Sequence, residues 1–142
     1  MPAKLTKDEA HAFLDSRPGW LVLTTIGRNS YPHTIPVGYF RMGDDVYTGG
    51  RAGTQRLKNI ERNPKVSALV ESGKTMQEIK GLMIEGDAEL VTEPSEVLPL
   101  MREAARQRGT PDDQFPTAAR PGVAYIRIRP RRYVSWDYSR EG

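Results

Sequence analysis

Residues 49–64, GGRAGTQRLKNIERNP, decide how the rest of the chain is interpreted. The stretch opens with glycines, favours a helix over residues 54–62, and ends at Asn63-Pro64, a typical helix stop. The stretch contains four basic residues and only one acidic residue, Glu61. Composition alone is compatible with three interpretations: a solvated helix, a nucleic-acid surface or a phosphate site. The orientation of each side chain on the helix distinguishes among them.

Helical phase shows that these basic residues are not equivalent. At about 100° per residue, Leu57 and Ile60 define the buried side of the helix. Arg56 flanks that side in the first turn, whereas Lys58 points to water. A cation in the first turn opposes the helix dipole, and a bound anion would remove the conflict. The sequence therefore offers a phosphate site at Thr54 and Arg56, with a simple threonine cap after a glycine-rich turn as the alternative.

The bulk properties of the chain favour a small globular protein. It has 142 residues, a net charge of +3, a pI of about 9.3 and no cysteine. We expect one domain over residues 1–142, a cytoplasmic location and no membrane partner, because no apolar run is long enough for a bilayer span or a signal peptide. The mild positive charge suits anionic partners without choosing among them.

Periodicity predicts an alternation of helices and short strands. Two more helices are expected at residues 6–15 and 92–108, and strands at residues 20–26, 31–40, 45–48, 65–71, 79–91, 123–128 and 132–136. Pro32 and Pro36 place the second strand at an edge or a bulge, and Gly81 and Gly86 suggest bends or bulges. Pro130 is expected to separate the last two strands. Short connections favour antiparallel pairing. The expected fold is mainly β with flanking helices: a closed or split β-barrel of six to seven mostly antiparallel strands.

The sequence shows no motif for catalysis by the protein's own side chains without a cofactor. Ser72-Gly73-Lys74-Thr75 ends like a phosphate-binding P-loop, but Ala68 stands where its first glycine belongs and a strand follows. Two histidines without cysteine make a poor metal site, and no metal is expected. No catalytic residue can be assigned from these patterns. If the protein is an enzyme, a bound cofactor carries the reaction.

A nucleic-acid surface is the next alternative. Residues 127–132, RIRPRR, are the densest basic run, and nearby tyrosines and Trp136 could stack on bases. The run nevertheless alternates as a half-buried strand does, and no nucleic-acid motif accompanies it. Arginines on the wet face of a strand are the favoured interpretation, and we expect no nucleic-acid partner.

Several segments together resemble the pyridoxamine 5′-phosphate oxidase-like, FMN-binding split β-barrel superfamily. Tyr47-Thr48 resembles its strand ending, Thr54-Gln55-Arg56 its Ser/Thr-x-Lys/Arg phosphate motif, and Asn63-Pro64-Lys65-Val66 its entry to the next strand. Residues 31–37 and 80–86 are similar to two further strands of that family. The order of elements agrees from about residue 5 to residue 137.

The resemblance implies a split barrel that forms a homodimer with cofactor sites at the subunit interface. It assigns the cofactor phosphate to Thr54, Gln55 and Arg56, with Arg51 and Lys58 as further candidates. It places the ring along His33, Thr34, Ile35, Pro36 and Val37, with Lys80 and Gly81 near its polar edge. Trp136 is a candidate wall of the ring pocket, and an apolar plug at the dimer interface is its equal alternative.

The same resemblance implies a flavin or deazaflavin oxidoreductase. The Arg-x-x-x-Leu-Lys strand of pyridoxamine-phosphate oxidases is replaced here by residues 35–40, IPVGYF, so vitamin B6 oxidation is not expected. The expected cofactor is FMN or coenzyme F420, with hydride transfer to or from a small organic molecule. His33 and Tyr39 are candidate proton donors. The alternative is a non-catalytic flavin- or F420-binding carrier or sensor.

Overall fold

A computed structural model describes residues 1–142, and it contains all three helices that the sequence predicts. The helices are α1 (Lys7–Ser16), α2 (Gln55–Arg62) and α3 (Pro94–Gln107). The strands are β1 (Pro2–Ala3), β2 (Leu21–Ile26), β3 (Pro32–Val37), β4 (Phe40–Met42), β5 (Asp45–Arg51), β6 (Lys65–Ser72), β7 (Lys80–Val91) and β8 (Val123–Glu141). No helix has both the length and the apolar composition needed to span a lipid bilayer.

One antiparallel sheet forms the frame of the molecule. Its strand order is β3-β2-β6-β7-β8-β5-β4, with β1 added alongside β8, and every pair is antiparallel. Leu23 of β2, Ile84 of β7 and Val46 of β5 belong to a single buried core, so the sheet curls around its inner face. The prediction of a mainly β, split barrel with flanking helices is confirmed; the sheet has eight strands, where six to seven were predicted.

The helices close the two faces of this sheet differently. Phe13 of α1 and Leu57 of α2 enter the core on the inner face. α3 packs on the outer face of β4, β5 and β8, where Met101 joins a second buried cluster with Tyr47 and Tyr125. The outer face of β3, β2, β6 and β7 has no helix over it, and its side chains are partly exposed.

The last strand differs from the prediction. Residues 123–128 and 132–136 are parts of the single strand β8, and Pro130 does not separate them. The register against β7 shifts between Glu85 and Gly86: Glu85 pairs with Arg132, and Gly86 with Pro130, so Arg131 is an extra, bulged residue. The bulge accommodates a proline inside the sheet, and Gly86 is required because a Cβ there would lie 2.8 Å from the Arg129 carbonyl oxygen. Gly81, by contrast, sits in regular register.

Two other strand boundaries also differ from expectation. The segment 31–40 is divided, with β3 ending at Val37 and β4 beginning at Phe40. β3 is an edge strand, as Pro32 and Pro36 predict, because proline has no N–H to donate to a neighbour. β5 runs on to Arg51, so Gly49 and Gly50 lie in a strand and not in a turn.

A buried asparagine joins α2 to the sheet. Asn59 is fully buried, and its Nδ2 donates to the Thr25 hydroxyl of β2 at 2.9 Å. Its Oδ1 accepts from Gln55 Nε2 at 2.7 Å and from Arg62 at 2.6 Å. The amide thereby holds the helix in one rotational position.

This contact predicts a measurable coupling. Asn59→Ala should lower the free energy of unfolding by about 1–3 kcal/mol, because it leaves the buried Thr25 hydroxyl without its partner. Thr25→Val should also destabilise, and the double variant should cost less than the sum, by about 0.5 kcal/mol or more. Urea unfolding measures all three. Thr25→Ser keeps the hydroxyl and serves as the matched control; strictly additive effects would contradict the coupling.

Candidate functional site

Four buried side-chain atoms have no hydrogen-bond partner. They are His33 Nδ1, Thr48 Oγ1, Thr54 Oγ1 and Arg56 Nε. Two belong to the beginning of the helix itself. Thr48 is on β5, the strand that precedes the helix. His33 pairs with Thr25 of β2, whose hydroxyl accepts a hydrogen bond from Asn59 of the helix. Each unsatisfied buried group costs about 1–3 kcal/mol. The Thr54 and Arg56 atoms border the same cleft, so they mark a place where a polar ligand fits.

The Arg56 side chain lies across strand β5. Its terminal nitrogen donates to the Gly49 carbonyl oxygen at 3.2 Å, and the guanidinium rests on Gly50. A Cβ at position 50 would lie 2.5 Å from that nitrogen, so any larger residue would make the guanidinium shift from this position. Burial lowers the pKa of Arg56 below its ordinary value, because it disfavours the charged form. A neighbouring anion would offset that penalty.

Thr54 occupies the cap position of α2 without acting as a side-chain cap. Its hydroxyl makes no hydrogen bond to the helix, and it is buried without a partner. Thr6 shows the contrast at α1, where the hydroxyl accepts from the Glu9 N–H at 3.1 Å and the Glu9 carboxylate accepts from the Thr6 N–H. The simple threonine cap, the alternative for this position, is therefore not what the structure contains.

These groups border a cleft of about 620 Å³, which we call the arginine cleft. Its lining residues are Gly50, Arg51, Ala52, Thr54, Arg56, Arg120, Pro121, Gly122 and Val123. Three arginines, Arg51, Arg56 and Arg120, line it, and no carboxylate is present among the lining residues. The cleft therefore favours an anionic ligand, and its helix N-terminus adds free backbone N–H groups.

Arg120 is the lining cation that sequence reasoning missed. It comes from the proline-rich loop before β8, far from the other arginines in the chain. The Ala52 N–H donates to the Gly122 carbonyl oxygen at 2.8 Å, which ties this loop to the segment before α2. The unusual length of the loop was the available signal that it serves a site.

Two of the predicted phosphate residues lie outside the cleft. Gln55 is exposed, and its amide is engaged by Asn59. Lys58 is exposed on the far side of the helix, as helical phase predicts. Arg51, Thr54 and Arg56 are thus the part of the predicted set that the fold brings together.

The residues predicted to contact the ring lie on other elements. His33, Ile35 and Val37 share one face of β3, and Thr34 and Pro36 share the other. Lys80 Nζ lies 5.0 Å from the centre of the Phe13 ring, under α1. Gly81 lies directly beneath the Trp136 indole on the outer face of the sheet, where a Cβ would collide with the ring. None of these residues lines the arginine cleft, and their contact with a ring remains a prediction.

The arginines of β8 are engaged with acids. Arg127 and Arg129 lie 3.3 and 3.4 Å from the Glu89 carboxylate, Arg131 lies 2.6 Å from Asp87, and Arg132 lies 3.4 Å from Glu85. This paired, exposed ladder is the solvated strand face that the alternation of the sequence favours.

The fold has known counterparts with different described roles. The conserved hypothetical protein Rv2991 from Mycobacterium tuberculosis superposes with a TM-score of 0.81, over 94% of this chain and 86% of that one, at 26% identity. An F420 reductase superposes with a TM-score of 0.67 at 20% identity, covering 87% and 94% of the two chains. HutZ, the haem storage protein from Vibrio cholerae, gives a TM-score of 0.68 at 17% identity, covering 94% and 98%. The last two likenesses show a shared fold.

Sequence comparison is more specific than the structural likenesses. No curated protein matches the chain. The profile of the pyridoxamine 5′-phosphate oxidase family matches residues 6–137, nearly the whole sequence and every element from α1 to β8. The chain therefore belongs to the pyridoxamine 5′-phosphate oxidase family.

Proposed function

We propose that this protein is an oxidoreductase that binds FMN or coenzyme F420 and transfers a hydride to or from a small organic molecule. The observation that carries the proposal is the pair of buried, unpartnered groups at the start of α2, the Thr54 hydroxyl and the Arg56 Nε. Both cofactors possess a phosphate group whose oxygens would accept hydrogen bonds from these two donors. When bound, such a cofactor supplies the hydride chemistry.

The charges of the arginine cleft support a phosphate at this position. Arg51, Arg56 and Arg120 bring three positive charges to a cleft without a carboxylate. Hydrogen bonds from guanidinium to phosphate are about twice as strong as neutral ones. At this end of the ligand, the chain's own role is to bind and orient the phosphate. The Arg56 guanidinium lies against Gly50, and the Thr54 hydroxyl is a second hydrogen-bond donor.

The ring would lie along β3 and the neighbouring strands. His33 is the predicted ring contact with a buried, unpartnered nitrogen, so it has a free position to offer to a polar ring edge or to a proton. Tyr39 is a weaker proton donor, because its hydroxyl donates to the Leu14 carbonyl oxygen at 2.7 Å and burial raises its pKa to about 12. Lys80, Gly81 and Trp136 would reach the ring from the second subunit.

A homodimer would account for the uncovered outer face of the sheet. Pro36, Val22, Leu69, Met83 and Val134 pair directly across five strands and form one apolar row, the outer stripe. All five side chains are at least partly exposed. Trp136 extends the stripe, being two residues beyond Val134 on the same face. We propose that a second copy of the chain covers this stripe.

The whole proposal is tested by loading and turnover. On titration, FMN or F420 should bind to the purified protein, which then carries the visible absorbance of the flavin or deazaflavin. Riboflavin, which lacks the phosphate, should bind far more weakly. Reduction of a trial acceptor by the loaded, reduced protein separates an oxidoreductase from a carrier or sensor. Failure to bind either phosphorylated cofactor would overturn the proposal.

Arg56→Ala should weaken binding of the phosphorylated cofactor by about 1.5–3 kcal/mol, the range for a hydrogen bond to a charged group. Lys58→Ala removes the same charge from the exposed side of the same helix and should cost clearly less. Isothermal titration calorimetry measures both. Equal losses in the two variants would contradict the assignment of the phosphate to the arginine cleft.

Gly50→Ala should also weaken cofactor binding, because the new methyl group occupies the place of the Arg56 guanidinium. Gly38→Ala is the matched control, since its Cβ would meet nothing nearer than Trp20 at 4.0 Å. The same titration measures both variants. Unchanged affinity in Gly50→Ala would show that the position of Arg56 does not matter for the ligand.

Leu69→Glu should shift the protein towards monomer, because it places a charge in the middle of the outer stripe. Gln77→Glu adds the same charge in the exposed loop before β7 and should leave the assembly unchanged. Sedimentation velocity gives the mass of each. A wild-type protein that sediments as a monomer would contradict the proposed dimer directly.

A further inference from the structure

A second cleft lies on the opposite side of β5 from the arginine cleft. It has a volume of about 410 Å³ and lies between the end of α1, the β3–β4 connection and the end of α3. The two clefts share no lining residue. Gly49 borders this cleft and Gly50 borders the other, which follows from the alternation of strand residues between faces. We call it the aromatic cleft.

Its walls are flat and apolar. Trp20, Tyr39, Phe40 and Tyr125 all line it. Trp20 is 69% exposed, so a large part of its indole surface is accessible to a ligand. Gly38 places no side chain against Trp20, and a Cβ at Gly49 would lie 3.2 Å from the Tyr125 ring. These glycines leave the ring faces open to a planar molecule.

One end of the aromatic cleft is cationic. Arg17 and Arg108 line it, and no carboxylate does. Arg108 makes no ion pair in the structure. The Arg17 guanidinium is anchored by a 2.7 Å hydrogen bond to Gln107 Oε1, which leaves its other N–H groups free. Both cations can therefore receive an acid from outside the chain.

Two further features place polar donors in the same space. Arg17 has φ 47° at the end of α1, a left-handed position usually given to glycine, so an arginine is retained there despite the strain. Tyr125 is 8% exposed, yet its hydroxyl has no protein partner and is not among the fully buried unpaired atoms. The hydroxyl must therefore open to solvent. Burial raises the pKa of Tyr125, and the charges of Arg108 and Arg120 oppose that rise. Arg108 and Tyr125 line the same cleft.

From these features we infer that the aromatic cleft binds a planar aromatic carboxylate. The ring would lie between Trp20 and the tyrosine walls, and the carboxylate would meet Arg108 and Arg17, with the Tyr125 hydroxyl as an additional donor. A carboxylate coplanar with its ring matches both the slot shape and the fork of a guanidinium. This site shares no lining residue with the arginine cleft, where the cofactor phosphate is proposed to bind.

Calorimetric titration of the full chain with 2-naphthoate and with neutral 2-naphthamide tests the inference. The acid should bind, and the amide should bind at least about tenfold more weakly, because it lacks the charge that the arginines recognise. Absence of measurable naphthoate binding, or equal binding of acid and amide, would overturn the inference.

Variants locate the binding. Arg108→Ala and Trp20→Ala should each weaken naphthoate binding about tenfold or more, and both positions are exposed, so the fold should tolerate them. Arg28→Ala removes the same charge from an exposed turn and should have no effect. Arg56→Ala should also have none. If Arg56→Ala abolishes binding and Arg108→Ala does not, naphthoate occupies the arginine cleft and the aromatic cleft is not the site. Because no cofactor is added, this outcome is independent of whether FMN or F420 binds.

Discussion

The buried amide of Asn59 fixes the rotation of α2, and the arrangement of the arginine cleft depends on that rotation. Its bond to the Thr25 hydroxyl holds one side of the helix against β2. With Asn59 turned inward, Leu57 and Ile60 enter the core, Arg56 reaches over β5, and Lys58 faces water. A polar contact with strict geometry does this better than apolar packing alone, because hydrophobic contacts tolerate small rotations and a pair of hydrogen bonds does not.

The local parts of this arrangement could be predicted from sequence, and the distant parts could not. The separation of Arg56 from Lys58 follows from helical period alone. The burial of Asn59 does not, because a polar residue in a short basic helix ordinarily faces water, and its partner Thr25 lies 34 positions away. Arg120 was missed for the same reason: a contact between Ala52 and Gly122 brings its loop to the cleft, and no local pattern encodes that contact.

Prediction of the strands from sequence was limited in the same way. Most strands were predicted because alternation is a local property, and β3 was placed at an edge because proline cannot donate. Pro130 was interpreted as a break by that same rule. The structure instead accommodates it in a bulge that requires Gly86 on the neighbouring strand, so the outcome depends on a residue that only the sheet brings alongside. The assignment of a ring to β3, Lys80 and Trp136 remains a prediction, as does the homodimer that would complete such a site.

Gly49 and Gly50, which the sequence suggested were part of a turn, are adjacent in β5 for a physical reason. In a strand, neighbouring residues face opposite sides of the sheet. Gly50 faces inward, where the Arg56 guanidinium rests on it, and Gly49 faces outward, where the Tyr125 ring lies. A Cβ at either position would enter one side only. The dipeptide therefore opens two separate clefts from one strand, and it does so because two consecutive residues are the minimum needed to leave both faces of a pleated strand bare.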